Sequence, residues 1–223
     1  MYGFMDSFSV IDFENWHRKD LYLQYTQRWT TCSFTFNAEV DVTEVVSALN
    51  IMQKKKAPAM LYAVTRALND QENFRMQMVE GKLGSWNVIH PMYPVLNRNK
   101  DITFHMTHYQ VHFSAFYEEY LQAQKRNAGC ELAMAQQMPQ NVYSISILPD
   151  LSFTGCAFDL KNPKDYLSPV VFLGRFTEKE ERLIMPVSIT CNHAAADGYH
   201  VSLFFKKLQE LLNDYKEWMG VMR

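Results

Sequence analysis

The segment CNHAAADGYH, residues 191–200, combines an imidazole and a carboxylate at a spacing that suits chemistry. His193 precedes Asp197 by four residues, and the three alanines between them leave room for a bulky ligand near the imidazole. A neutral imidazole can take up a proton near physiological pH, so His193 is a candidate general base. The same pattern is also typical of a histidine that ends a strand before an aspartate-capped helix. The segment alone leaves both interpretations open.

Three further histidines form a second candidate cluster. His105, His108 and His112 in HMTHYQVH are spaced by three and four residues, and on one helix they could share a face and bind zinc. However, the segment is typical of a strand that passes into a helix, and no carboxylate or cysteine completes the set. We therefore expect no metal site.

The bulk composition excludes several classes of protein. The 223 residues are 48% hydrophobic with a net charge of −2, which indicates a globular chain and gives no sign of a nucleic-acid or membrane partner. The N-terminal residues show no signal-peptide pattern, so we expect none, and no apolar run nears the length of a membrane span. The cysteines form no CxxC pair, which indicates reduced thiols of a cytoplasmic protein rather than disulfides or a zinc site. They are Cys32, Cys130, Cys156 and Cys191.

The elements next to His193 must hold it rigidly. The segment ERLIMPVSITCN predicts a strand that ends at the histidine. From Val201 to Tyr215, apolar residues recur every three to four positions, which predicts an amphipathic helix after Gly198.

Helices and strands also alternate irregularly through the rest of the chain. Asp41-x-x-Glu44 predicts a helix start, and Pro58 is placed to open a second helix. Glu80-Gly81 predicts a hairpin turn, and apolar periodicity predicts a helix from about residue 112 to residue 129. We expect one α/β domain over residues 1–223, a two-layer sandwich with a mixed β-sheet.

The segment HAAADGYH, followed by an amphipathic helix, resembles the signature of the chloramphenicol acetyltransferase family. Further segments match that family in order and approximate spacing, so the resemblance covers nearly the whole chain. They are WHRKD (16–20), FRMQM (74–78), YPVL within HPMYPVL, SILPDLSF (146–153), FDL (158–160) and LIMPVSI (183–189).

The resemblance implies an enzyme that transfers an acetyl group from acetyl-CoA to the primary hydroxyl of chloramphenicol. It implies a homotrimer with the site in the cleft between subunits, and no permanently bound cofactor. His193 matches the general base, and Ser146 matches a serine whose hydroxyl stabilises the oxyanion of the thioester carbonyl. Asp197 and Arg18 match an ion pair, expected to be buried and bidentate, that supports the turn carrying the base.

An apolar and aromatic pocket is implied for chloramphenicol, because that compound carries a nitrophenyl ring and few charges. Seven positions match the pocket of the family: Tyr25, Cys32, Phe104, Phe158, Leu160, Val170 and Phe172. Phe176 and Asp150 match positions beside CoA.

The chain departs from the family pattern at four positions. Asn192 stands where a second histidine is usual, and Asp150 stands where a tryptophan is common. Phe172 replaces a threonine that often helps hold the transition state, and Phe176 replaces a tyrosine. These changes bear more on the identity of the acceptor than on acyl transfer.

Two other functions stay open. The catalytic core of a dihydrolipoamide acyltransferase shares the fold and the His-x-x-x-Asp-Gly arrangement and would act on another acceptor. A trimeric homologue that binds ligand without turnover would explain the departures. Retention of His193, Ser146, Arg18 and Asp197 together argues against this last interpretation.

Overall fold

The computed structural model describes residues 6–29, 32–159 and 166–220, so Leu160 lies outside the described residues. The strands are β1 (Phe8–Val10), β2 (Ser33–Asp41), β3 (Met76–Val79), β4 (Lys82–Trp86), β5 (His90–Leu96), β6 (Ile102–Met106), β7 (Val142–Ile147), β8 (Val170–Leu173), β9 (Thr177–Lys179) and β10 (Arg182–Asn192). The helices are α1 (Lys19–Leu23), α2 (Thr43–Ile51), α3 (Lys56–Asn69), α4 (Phe113–Arg126), α5 (Gly198–Asn213) and α6 (Tyr215–Met219). A π-helical turn (Gln24–Arg28) follows α1, and a 3₁₀ turn (Glu72–Arg75) precedes β3.

The main sheet has seven strands and is mixed. Its order is β2-β10-β8-β7-β5-β6, with the short β9 also paired to β10. Strand β7 is parallel to both of its neighbours, β5 and β8. The pairs β2·β10, β10·β8 and β5·β6 are antiparallel. A second, three-stranded sheet has the order β1-β4-β3. The predicted α/β class with a mixed sheet is confirmed.

The two faces of the main sheet differ sharply in chemistry. Along β10, Val187 and Ile189 point to the face where α2, α3, α4 and α5 pack, and both belong to the main hydrophobic core. Ser188 and Thr190 alternate with them and point to the other face. There Ser188 Oγ donates to the carbonyl of Cys156 at 2.9 Å. The helices therefore cover one face, and the opposite face carries hydroxyl groups.

Two helix starts were predicted, and they differ in accuracy. Helix α2 begins at Thr43 with Val42 as its N-cap, one residue later than a cap at Asp41 predicts, and Asp41 Oδ1 accepts from the backbone N–H of Thr43 at 2.9 Å. Helix α3 begins at Lys56, so Pro58 is its third residue rather than its first. The shift is tolerated because the N–H groups of the whole first turn need no intrahelical partner.

The predicted hairpin is confirmed, but the last predicted helix is broken. Glu80 and Gly81 connect β3 to β4 with φ angles of 49° and 75°, a left-handed pair that suits a two-residue turn. Helix α5 ends at Asn213, and Tyr215 begins α6. Trp218 Nε1 donates to the carbonyl of Leu211 at 2.7 Å, a tertiary contact that folds α6 back and that apolar periodicity does not reveal.

Within the described ranges, no helix has both the length and the apolar character needed to cross a membrane. The expectation that residues 1–223 form one acyltransferase domain stays a prediction.

Candidate active site

His193 follows directly after β10 and is held on three sides. Its backbone N–H donates to the carbonyl of Cys32 at 3.0 Å. Its ring stacks on Tyr25, with centroids 4.2 Å apart and planes 12° apart, and is tilted against Phe34 at 4.9 Å. Nδ1 of His193 is buried and has no hydrogen-bond partner among the described residues. Two predicted pocket residues, Tyr25 and Cys32, are thus neighbours of the candidate base.

Asp197 joins the turn of His193 to α5. It is the N-cap of α5, where its side chain accepts a hydrogen bond from the backbone N–H of Tyr199 at 3.0 Å. Arg18 Nη1 donates to the other carboxylate oxygen, Oδ2, also at 3.0 Å. The side chains of Arg18 and Asp197 are 11% and 27% exposed. The predicted ion pair is therefore present and largely buried.

The prediction that this pair is bidentate is wrong. Oδ1 of Asp197 is occupied by the N–H of Tyr199 and lies 2.9 Å from Nδ1 of His200, so only Oδ2 faces the guanidinium. Nε and Nη2 of Arg18 are buried without a hydrogen-bond partner in the described part of the chain. The carboxylate thus acts as a helix cap on one side and as an ion-pair partner on the other.

The charges around Asp197 keep it ionised. Burial alone would raise its pKa, but the hydrogen bond from Arg18 and the nearby His200 and Arg18 charges hold the pKa below the usual value. Burial lowers the pKa of His200, against the opposing effect of Asp197. Near neutral pH the cap is therefore a carboxylate beside the Arg18 guanidinium.

Ser146 lies on β7 and points to the hydroxyl-bearing face of the main sheet. It is in register with Phe172 of β8, and Phe172 is in register with Ser188 of β10. Directly paired residues share a face, so these three side chains form one row. The ring of Phe172 lies 5.9 Å from that of Phe158.

Two other predicted pocket residues belong to the same surface. Val170 lies two residues before Phe172 on β8, where it pairs with Ser144, and it is buried. Phe104 of β6 pairs with Pro94 of β5, on the far side of β7 from β8. The described residues predicted to bind the acceptor thus divide into two groups, one beside His193 and one beside Ser146.

The register also measures the separation of Ser146 from His193. Ser146 and Ser188 are two strands apart, about 10 Å, and His193 lies five residues beyond Ser188, about 16 Å along the chain. The two residues are therefore roughly 15–20 Å apart within one chain. One thioester carbonyl cannot contact both side chains at that distance.

A cavity of about 280 Å³ lies where β7 and β8 end and α3 begins. Phe176 lines it, as do the cations Lys56 and Arg175. Pro149 is also part of the wall, whereas the adjacent Asp150 is exposed. Sequence reasoning missed the two cations, because nothing in their local pattern distinguishes them from other surface charges.

The rival histidine cluster does not assemble. His105 lies on β6, where its ring is tilted against Tyr93 at 6.2 Å, whereas His108 Nδ1 lies 3.0 Å from Glu119 Oε1. In residues 6–29, 32–159 and 166–220 there is no group of three or more metal-binding side chains.

Comparison by sequence relates this chain to one family. The sequence model described as chloramphenicol acetyltransferase matches residues 6–209. A chloramphenicol acetyltransferase of Clostridium perfringens is 31% identical over 217 residues, which cover 96% of this chain and 98% of the relative. A solved chloramphenicol acetyltransferase structure superposes with a TM-score of 0.81 at 24% identity, covering 92% of this chain and all of the other.

The fold is shared more widely than that family. A dihydrolipoamide acetyltransferase of Azotobacter vinelandii superposes with a TM-score of 0.64 at 19% identity, covering 85% of each chain. At that identity the likeness concerns the fold alone.

Proposed function

The chain belongs to the chloramphenicol acetyltransferase family, and we propose that it transfers the acetyl group of acetyl-CoA to the primary hydroxyl of chloramphenicol. The observation that carries the proposal is the placement of His193. Its imidazole is fixed between Tyr25 and Phe34 at the end of a rigid strand, next to a turn tied down by the Asp197–Arg18 ion pair.

His193 acts as the general base. Since Nδ1 is buried, Nε2 takes the proton of the acceptor hydroxyl as its oxygen attacks the carbonyl carbon of the thioester. The tetrahedral intermediate carries a negative oxygen, which accepts a hydrogen bond from Ser146 Oγ. Collapse of the intermediate breaks the C–S bond, and the departing CoA sulfur takes the proton back from His193. The acetyl group moves directly, without an acyl-enzyme.

Assembly as a homotrimer brings the two residues together. The roughly 15–20 Å between Ser146 and His193 in one chain supports a site in which one subunit supplies the base and its neighbour supplies the serine. The acceptor then lies between the two predicted groups. One comprises Tyr25 and Cys32, and the other comprises Phe104, Phe158, Val170 and Phe172. Leu160 is proposed for the same pocket.

Acetyl-CoA is a co-substrate in this scheme, and no cofactor is permanently bound. The cavity beside Phe176 can receive part of CoA, because the aromatic ring offers a stacking surface and Lys56 and Arg175 offer positive charges to phosphates. Asp150, exposed beside that cavity, is proposed to contact the same ligand. The four free cysteines are consistent with a cytoplasmic enzyme.

The test follows the release of CoA thiol with acetyl-CoA and chloramphenicol. His193→Ala should lower kcat at least about 10²-fold, because general-base catalysis is worth that much or more. His112→Ala is the matched control, since His112 is exposed and at the start of α4. Unchanged activity of His193→Ala would refute the assignment of the base. Turnover of dihydrolipoamide with none of chloramphenicol would refute the proposed acceptor, and a trapped acetyl-cysteine would refute direct transfer.

A further inference from the structure

The turn between His193 and Asp197 consists of three alanines whose backbone must be fixed from outside. Ala194, Ala195 and Ala196 are 0–1% exposed, and their side chains carry no polar atoms. Buried backbone N–H and C=O groups need hydrogen-bond partners, and each missing partner costs free energy. The direction of this turn determines where the imidazole of His193 points.

Asn192 satisfies the N–H groups of this turn. Its backbone carbonyl accepts from the N–H groups of Ala195 and Ala196, both at 3.1 Å. Its side-chain Oδ1 accepts from the N–H of Ala194 at 2.9 Å. Its Nδ2 donates to the carbonyl of Tyr166 at 3.2 Å, which ties the turn to the strand connection before β8. Asn192 itself is 0% exposed.

Asn73 holds the same turn from the opposite direction. It lies in the 3₁₀ turn before β3, and its Nδ2 donates to the carbonyl of Ala195 at 2.7 Å. The two asparagines thus contact adjacent residues of one turn with opposite polarity. The side chain of Asn192 accepts at Ala194, and the side chain of Asn73 donates at Ala195.

We propose that Asn73 and Asn192 are positioning residues, which set the orientation of the His193 imidazole by fixing the Ala194–Ala196 turn. The inference rests on the proposed function, because it assumes that His193 is the base. It explains Asn192, a departure from the paired histidines of the family, as a buried hydrogen-bonding residue that the turn uses. Neither side chain touches the reacting atoms in this role.

The two side-chain contacts have opposite hydrogen-bond polarity, so the effect of a substitution on kcat should depend on whether it keeps the donor or the acceptor. A purely structural role predicts a loss of stability without this dependence. Asn73→Ala and Asn192→Ala should each lower kcat about 10-fold to 10²-fold with little change in KM, since a displacement near 1 Å costs that much. Asn192→Asp keeps the acceptor for Ala194 but loses the donor to the carbonyl of Tyr166 and buries a charge, so its kcat should fall at least as far as that of Asn192→Ala. Asn73→Asp loses the donor to Ala195 and should be impaired at least as much as Asn73→Ala.

Asn97→Ala is the matched control. Asn97 Oδ1 also accepts backbone N–H groups in a turn, from Asn99 and Asp101, but between β5 and β6. Thermal unfolding of every variant separates lost stability from lost turnover. If both alanine variants keep kcat within twofold of wild type, or if Asn73→Asp is as active as wild type, the inference fails. Failure of the proposed function is distinguishable, because wild type would then not acetylate chloramphenicol or His193→Ala would stay active.

Discussion

At the scale of single residues, the site depends on contacts made far apart in sequence. The imidazole of His193 is fixed by Tyr25 and Phe34, more than 150 residues earlier in the chain. Local sequence pattern therefore leaves His193 indistinguishable from an ordinary strand-ending histidine. The family resemblance identified Tyr25, but it did not identify Phe34 or Asn73, because those positions carry no signal until the fold brings them to the turn.

Ser146 offers a second test of the mechanism. Replacement by alanine removes one donor from the developing oxyanion, so Ser146→Ala should lower kcat about 10²-fold to 10³-fold with little change in KM. The measurement is steady-state kinetics with both substrates. Ser144→Ala is the matched control, because Ser144 lies two residues earlier on β7 and its Oγ is 3.3 Å from Tyr166 Oη. Equal effects of the two substitutions would contradict the assignment.

At the scale of elements, periodicity predicted what local sequence can encode. Strand β10, helix α5 and the β3–β4 hairpin followed from apolar spacing and turn chemistry. The start of α3 was misplaced and the break after Asn213 was not predicted, because tertiary contacts decide where a helix begins and ends. The π-helical turn after α1 and the separate three-stranded sheet were not predicted, since both depend on packing between distant segments.

The connection between β6 and α4 should respond to pH through His108 and Glu119. The hydrogen bond between them raises the pKa of His108 and lowers that of Glu119. The contribution of His108 to stability is complete below its unfolded pKa, about 6.5, and is lost as pH rises through the raised folded value. The contribution of Glu119 is present above its unfolded pKa and is lost as pH falls through the lowered folded value.

An NMR titration of the His108 imidazole checks this. Glu119→Gln removes the charged acceptor and should move the midpoint of His108 to lower pH. Glu118→Gln is the matched control, because Glu118 accepts a hydrogen bond only from Gln122 in the described contacts. The same midpoint in all three proteins would show that the ion pair does not form in solution.

At the scale of the whole molecule, the sheet order decides which residues one chain can bring together. Strands β10, β8 and β7 are adjacent, yet the register leaves Ser146 and His193 roughly 15–20 Å apart. No sequence pattern contains that distance, because it follows from strand order and register. The separation makes a site shared between subunits a requirement of the proposed chemistry, since both residues act on one carbonyl, and the proposed trimer supplies such a site.

Mixed trimers test that requirement directly. Each homotrimer of Ser146→Ala or His193→Ala lacks one catalytic group at every site, so both should be nearly inactive. If each site combines His193 of one subunit with Ser146 of the next, any mixed trimer contains one site with both residues intact. Co-refolding equal amounts of the two variants should therefore recover about a quarter of wild-type activity. Mixing the two folded homotrimers without unfolding is the control and should recover none. If co-refolded protein stays as inactive as the homotrimers, one chain supplies both residues, and the subunit-bridging site is wrong.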